Sequence, residues 1–282
     1  MGGVFGGGFA SSPGGGASAA ALAALQSQLA KMPRHYATIP DVEHADSDEF
    51  NVGNTLNPRW TLCRTDTWAT VASAGDVDPL TNPAANTVRM SVNPAAAPSW
   101  LLVQPALGLQ FAIKRRIAAR PSVAQFRCRM KQIVPGAAAL SDTYVTFHIG
   151  AEVTGNPDLS QNYAQAAYIV SAAQTEIART HFRGAGALLQ MWDSQNHDGN
   201  PHDCEFIIRF NGGDSTIYMN SNTGFHALSH TSTGIIAAGQ PCYVVAAFFS
   251  ANTATSLIGG FAPIFAFDYF RQRDDAIVLP VS

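Results

Sequence analysis

Charge is scarce in this chain. Only 13% of its 282 residues are Asp, Glu, Lys or Arg, about half the share usual in globular proteins. One explanation is a surface rich in Ala, Ser, Thr and Asn. The sharper one is a surface that lies against other proteins, because interface cores are depleted in charge. Lysine is the rarest cation, three residues against fourteen arginines, and interfaces also favour Arg over Lys. A net charge of −3 argues against a nucleic-acid binder. Cysteine is sparse too. Cys63, Cys128, Cys204 and Cys242 show no C-x-x-C spacing, so they read as buried thiols rather than a zinc site or disulfides. No apolar run reaches the 18 or so residues of a membrane span. The N-terminus lacks the basic residues and compact apolar core of a signal peptide, so use without secretion is expected. Neither G-x-S-x-G, a P-loop nor a Ser-His-Asp order occurs.

What is present begins with glycine. "MGGVFGGGFASSPGGG", residues 1–16, has Val4, Phe5 and Phe9 as its only bulky groups after Met1. Glycine loses the most backbone entropy on ordering. A flexible linker is the plain reading, but such linkers rarely carry two phenylalanines. Phe5 and Phe9 therefore look like anchors for a partner's pockets. An Ala-rich helix is expected over 17–33, ended by Pro33. Its Leu22, Leu25, Leu29 and Met32 step by three and four, the spacing of a coiled-coil seam. So short a helix is marginal alone. Self-association or docking is expected, with packing on its own domain as the alternative. Residues 34–47 read as an acidic linker. The run "DVEHADSDE" lacks the order of a calcium loop.

From residue 48 the pattern is β: short strand-like runs alternate with Gly, Pro, Asn and Asp turns. They include "FAIKRRI", "AQFRCRMKQ", "TYVTFHIGAEV", "AQAAYIVSAA", "CEFIIRFNGG", "STIYMN", "CYVVAAFFS" and "IFAFDYFRQR". "FNGGDSTIYMN" reads as a hairpin. Many short strands without long helices mean a sandwich or barrel.

"DEFNVGNTLNPRW", residues 48–60, resembles the opening of concanavalin-A-like jelly rolls of the lectin and glucanase type. "FAFDYFRQR", residues 265–273, resembles their closing strand. The resemblance implies one antiparallel jelly-roll sandwich over 48–282, all-β, preceded by the glycine-rich extended tail and the short α-helix. In that fold the first and last strands lie together. Tail, helix and sandwich in series look like a bacteriophage virion protein of the fibre or adhesin type. That resemblance implies a non-enzymatic structural protein held to the virion by Val4, Phe5 and Phe9, joined to copies of itself and projecting the sandwich. It implies a place in the virion after synthesis in the host cytoplasm; from charge and the lack of long apolar runs, neither nucleic acid nor membrane is expected as a partner. The alternatives are a carbohydrate-binding adhesin and a divergent glycoside hydrolase.

Glucanases of this fold carry Glu-x-Asp-x-x-Glu on one strand, two carboxylates acting as nucleophile and acid. None of the five glutamates here starts that pattern. Asp203 and Glu205 share one strand face and come nearest to it, and they read as a rim pair. The resemblance also implies a possible structural calcium at Asp268, although one carboxylate cannot make such a site. No other cofactor is expected. "WDSQNHDGNPHD", residues 192–203, reads as a polar loop. Trp192 there could stack on a sugar, with Asp193, His197 and Asp198 bonding hydroxyls; the alternative is a turn-rich connection. His226 and His230 are four apart, the spacing that binds zinc on a helix, but in loop or strand surroundings that reading is not preferred.

The basic segment is the firmest feature. Lys114, Arg115, Arg116, Arg120, Arg127, Arg129 and Lys131 fall within eighteen residues, and no acid occurs between Asp78 and Asp142. Arg127, Arg129 and Lys131 alternate with apolar residues, so on a strand they share one face. A solvated face, an acidic protein partner and an anionic polysaccharide are the readings open to it.

Overall fold

The computed structural model describes residues 47–50, 54–78, 83–93, 99–106, 108–133, 143–158, 160–170, 175–184, 187–196, 202–221, 224–226, 231–250 and 264–274. Of the two compact units into which the chain divides, the described residues all belong to the one spanning Ile39–Val278. Val4, Phe5, Phe9, Leu22, Leu25, Leu29 and Met32, with the tail and helix that carry them, lie outside the described residues.

Seventeen strands are described: β1 Thr61–Arg64, β2 Ala72–Ser73, β3 Thr87–Asn93, β4 Trp100–Pro105, β5 Phe111–Ile117 and β6 Val123–Ile133. Next come β7 Thr143–Val153, β8 Asn156–Pro157, β9 Tyr163–Val170, β10 Thr175–Gly184, β11 Ala187–Asn196 and β12 His202–Asn211. The last are β13 Asp214–Ser221, β14 Gly224–His226, β15 Thr231–Thr233, β16 Cys242–Ser250 and β17 Ile264–Arg273. They form two sheets. One has eight strands in the order β1-β5-β16-β7-β9-β10-β11, with β8 on β7. The other has nine, in the order β14-β13-β12-β6-β17-β4-β3-β2, with β15 on β13. All pairings are antiparallel except β2 with β3. This is the all-β jelly-roll sandwich that the resemblance implies. The hairpin is present as β12–β13, closed by the Asn211–Asp214 pair, with Gly212 at φ +62°, a conformation that glycine alone takes without strain.

Period-two alternation places one set of side chains from each sheet in a shared core. Phe248 of β16 shows the join. Its ring centroid lies 5.2 Å from Phe111 in its own sheet, and 4.5 and 4.8 Å from Phe265 and Phe267 of the opposite sheet. In β17 the inward aromatics are Phe265, Phe267 and Phe270, spaced by two and then three. A bulge between Phe267 and Tyr269 takes up the extra residue, Asp268, and so keeps Phe270 inward.

The ends of the domain meet as the resemblance implies. Asp48 bridges Phe270 through two backbone hydrogen bonds of 2.7 Å. Its carboxylate accepts from Trp60 Nε1 at 3.0 Å, while Trp60 meets the Phe270 ring edge-on at 5.1 Å. Phe50 packs between Trp60 and Phe267. The acidic residue, the Phe and the Trp of the opening segment are thus one latch onto the closing strand.

All four cysteines are free and buried. Burial pushes the Cys63 and Cys242 thiols up to about 12, so neither forms a nucleophilic thiolate near neutrality.

Gly150 in β7 has no room for a side chain. A Cβ there would lie 2.5 Å from His148 Nε2 and 2.6 Å from the Asp158 carbonyl oxygen. Gly150→Ala must displace the Asp158 turn from β7. A loss of about 1–3 kcal/mol is expected, the usual range for overpacking, read from urea unfolding. An unchanged midpoint would show that the contact yields freely.

Candidate functional site

The two sheets present opposite kinds of outer face. On the nine-stranded sheet, Arg127, Arg129 and Lys131 of β6 do share one side, as their alternation predicts. Their acidic partners are intramolecular. Arg127 donates to Glu205 of β12 at 2.5 Å, and both side chains are nearly buried, 12% and 13% exposed. Tyr269 of β17 donates its hydroxyl to the same Glu205 oxygen. Burial, reinforced by the Glu205 charge, raises the Tyr269 pKa and keeps that proton in place. Arg129 reaches Asp203 at 3.0 Å and Asp268 at 3.1 Å. Lys131 stands 3.8 Å from Asp203. Trp100, buried on β4, lies beneath both cations, 4.2 Å from Lys131 Nζ and 5.2 Å from the Arg129 guanidinium carbon. This is a closed network of charge and aromatic contacts.

The network answers three expectations. The acids that the basic stripe calls for are Asp203, Glu205 and Asp268 of the same chain. Asp203 and Glu205, the nearest approach to a catalytic pair, are held by Arg127, Arg129 and Lys131. Asp268, the possible calcium ligand, is 5% exposed and faces a guanidinium. Burial raises its pKa, against the pull of Arg129. Among the described residues no group of three or more His, Cys, Asp or Glu is placed to hold a metal ion.

The rest of the basic segment disperses. Lys114 donates to Asn156 at 2.7 Å and sits over the Trp68 and Tyr243 rings. Arg120, 1% exposed, donates to the Pro121 and Gly212 carbonyls at 2.7 and 2.8 Å and clamps the β12–β13 turn. Arg115 and Arg116 lie at one end of β5.

The eight-stranded sheet is different. Trp192 and Asp193 are not in a loop, as their polar setting suggests, but within β11, the edge strand. A row of polar residues crosses the sheet to reach it. In register across the strands lie Lys114, Val245, His148, Gln165, His181 and Gln190. The neighbouring row pairs Thr146 with Ala167, Ala167 with Arg179, and Arg179 with Trp192. Val145, Phe147, Ile149, Ala164, Ala166, Tyr168 and Phe182 fill the core. The residues that alternate with them, among them His148, Gln165 and His181, therefore lie on the outer face. His197 and Asp198 lie outside the described residues.

His148 and His181 are both neutral at physiological pH. Burial lowers His148 to about 4, against weaker opposition from Asp158. Its Nε2 lies 3.0 Å from the Asp158 carbonyl oxygen. The carbonyl can only accept, so Nε2 carries the proton and Nδ1 is a bare acceptor. Burial also lowers His181 to about 4, with the Arg179 charge acting in the same direction. Among the described residues neither His148 Nδ1 nor His181 Nε2 has a hydrogen-bond partner.

His148, Gln165, Arg179 and His181 escape the sequence reading, which marks β9 as a strand but not β10. The signal is present in "ARTHFRG": Arg179, His181 and Arg183 alternate with Thr180 and Phe182, a two-sided strand pattern. The predicted ligand residues do not converge. Arg127, Arg129 and Lys131 belong to one sheet, Trp192 and Asp193 to the other.

No protein-family model and no curated sequence matches the chain. Its fold is similar to solved structures at low identity. One is LamA of Zobellia galactanivorans in complex with laminaritriose and laminaritetraose, 12% identical over 80% of this chain and 96% of that one, TM-score 0.47. Another is a xylan β-1,4-xylosidase of Bacillus halodurans C-125, 12% identical over 86% of this chain and 41% of that one, TM-score 0.48. A third is the CBM2 module of the evolved Dit of Lactobacillus casei BL23 phage J-1, 12% identical over 82% and 95%, TM-score 0.44. The concanavalin-like fold stands. The expectation of a non-enzymatic virion structural protein is corrected. Structures described as glycoside hydrolases recur among these low-identity matches. The exclusion of an enzyme falls with it.

Proposed function

We propose that the sandwich binds a carbohydrate on the outer face of its eight-stranded sheet, along β9, β10 and β11. The observation that supports this most is His181. It is half-buried on an outward face, held neutral, and has a ring nitrogen without a partner among the described residues. A buried polar atom without a partner costs about 1–3 kcal/mol. A sugar hydroxyl would relieve that cost. Gln165 beside it offers a planar amide with both donor and acceptor. The register sets Trp192 of β11 opposite Arg179 of β10. Aromatic faces and planar polar groups together are what a pyranose ring and its hydroxyls require. The nine-stranded face, with its charges paired to one another, offers less.

Glycan-array screening followed by calorimetry tests the reading. His181→Ala and Trp192→Ala are each expected to weaken binding at least tenfold while the melting transition stays in place. Acid should weaken binding as well, as His181 takes its proton towards pH 4. Reducing-sugar release from the bound glycan separates turnover from binding alone. Equal affinity of the wild type and both variants would place the sugar elsewhere.

A further inference from the structure

A second apolar cluster lies on the outer face of the eight-stranded sheet. It is formed by Cys63 of β1, Ala112 of β5, and Tyr243, Val245 and Ala247 of β16, with Trp68 packed against them. These residues alternate along their strands with Leu62, Ile113, Val244 and Ala246 of the main core, which turns them outward. Cys63 and Ala112 are nevertheless 0% exposed and Val245 1%. Their cover includes Trp68, half-buried at the end of the turn that follows β1.

That turn is tied down lightly. The Arg64 N–H donates to the Ala69 carbonyl at 2.9 Å and closes its base, and the Thr65 N–H donates to the Gln110 carbonyl at 3.2 Å. Asp66 and Thr67 are exposed. Their side chains bond to Arg64, to one another and to the Ala69 N–H, all within the turn. Beyond Thr65 the turn therefore holds the sheet through the Trp68 ring. Lys114 Nζ lies 5.3 Å from the centroid of that ring and 5.5 Å from that of Tyr243, and it donates to Asn156 at 2.7 Å. Asn156 and Tyr243 keep the ammonium in place with or without the indole.

Trp68 also sits at φ +58°, in the left-handed region that favours glycine. A bulky residue there is strained, and such strain persists only where the surroundings impose it. Packing of the indole holds the turn closed, while the backbone pushes it open.

We infer that Trp68 is a lid that lifts while the sandwich stays folded: its backbone leaves the left-handed region, the indole swings out, and the patch of Cys63, Ala112 and Val245 beside Lys114 opens as a pocket for a planar aromatic group. The group that fits is of the kind the patch holds when closed, a flat apolar ring with a cation against its face. Few contacts cross from the turn to the sheet, so lifting it is easier than unfolding the core. The lid stands over β5 and β16, apart from β9–β11, and the inference does not rest on the carbohydrate reading.

Thiol labelling of the full chain with iodoacetamide, read cysteine by cysteine by mass spectrometry, tests it. Cys63 is expected to react at least tenfold faster than Cys128 and Cys204 of the main core, and to depend little on low urea, because it answers to a local opening. Trp68→Gly removes the ring and relieves the backbone. It should speed Cys63 at least tenfold more, leave Cys128 and Cys204 unchanged and keep the melting transition in place. Indole added to that variant should slow Cys63 again by refilling the space. Trp68→Phe, with a smaller ring, should give an intermediate rate. Cys63 reacting in step with Cys128 and Cys204 at every urea concentration overturns the inference, since the patch then opens only by global unfolding. So does a Cys63 rate that Trp68→Gly leaves unchanged, because the indole is then not the cover. Indole without effect on the variant overturns the pocket. The wild-type comparison stands even if Trp68→Gly fails to fold.

Discussion

Arg127→Met is expected to destabilise the protein by about 3–5 kcal/mol, the range for breaking a buried ion pair from one side. The reason is what it leaves behind. Glu205 is 13% exposed and would keep only the Tyr269 hydroxyl as partner among the contacts described above. A carboxylate stripped of its counter-charge in that setting regains little water. Arg127→Met with Glu205→Gln should recover most of the loss, because replacing both charges removes the stranded one. Urea unfolding of wild type, single and double variants measures the coupling. An Arg127→Met midpoint within about 0.5 kcal/mol of wild type, the usual effect at an exposed site, would mean that the pair is solvated. Arg129, at 32% exposure and with two carboxylates in reach, should cost less. The same residues offer little to an outside partner, since their charge is spent within the sheet.

Acid should destabilise the fold in a window set by His148. Its ordinary pKa is about 6.5, and burial holds it at about 4 in the folded state. Above pH 6.5 it is neutral in both folded and unfolded chains and makes no difference. Below 6.5 the unfolded chain binds a proton that the folded chain refuses. Stability from this residue therefore falls as the pH drops from about 6.5 to about 4, by about 1.4 kcal/mol per pH unit and on the order of 3 kcal/mol in all. Asp158, in the adjoining turn, acts lower. Burial tends to raise its pKa, but the backbone N–H groups of Ser160, Gln161 and Asn162 and the Ser160 hydroxyl together hold it below the ordinary value. Its contribution is lost only as the pH falls below the usual carboxylate range. His148→Gln should flatten the upper part of the profile. The measurement is the urea midpoint at half-unit steps of pH from 4 to 8. A wild-type slope equal to that of His148→Gln would show that His148 is protonated without penalty.

Strand formation was legible in the sequence because its cause is local. Short apolar and β-branched or aromatic runs stand between Gly, Pro, Asn and Asp turns, and the runs read as "FAIKRRI", "TYVTFHIGAEV", "CYVVAAFFS" and "IFAFDYFRQR" are β5, β7, β16 and β17 to the residue. The opening and closing segments also identified the fold, since Asp48, Phe50 and Trp60 are the groups that latch onto β17. β11 was missed because an edge strand tolerates polar residues on both sides, so "MWDSQN" lacks the alternation that marks a strand. What the basic stripe does was decided by tertiary structure alone. Its side of β6 was readable from Arg127, Arg129 and Lys131, but its partners come from 74, 78 and 139 residues away. Only sheet order brings Asp203, Glu205 and Asp268 beside it. The candidate sugar face and the Trp68 lid have the same origin. Alternation along one strand says which side a residue takes. Whether that side meets a carboxylate or an aromatic ring depends on which strands pair beside it, and pairing is a property of the whole chain.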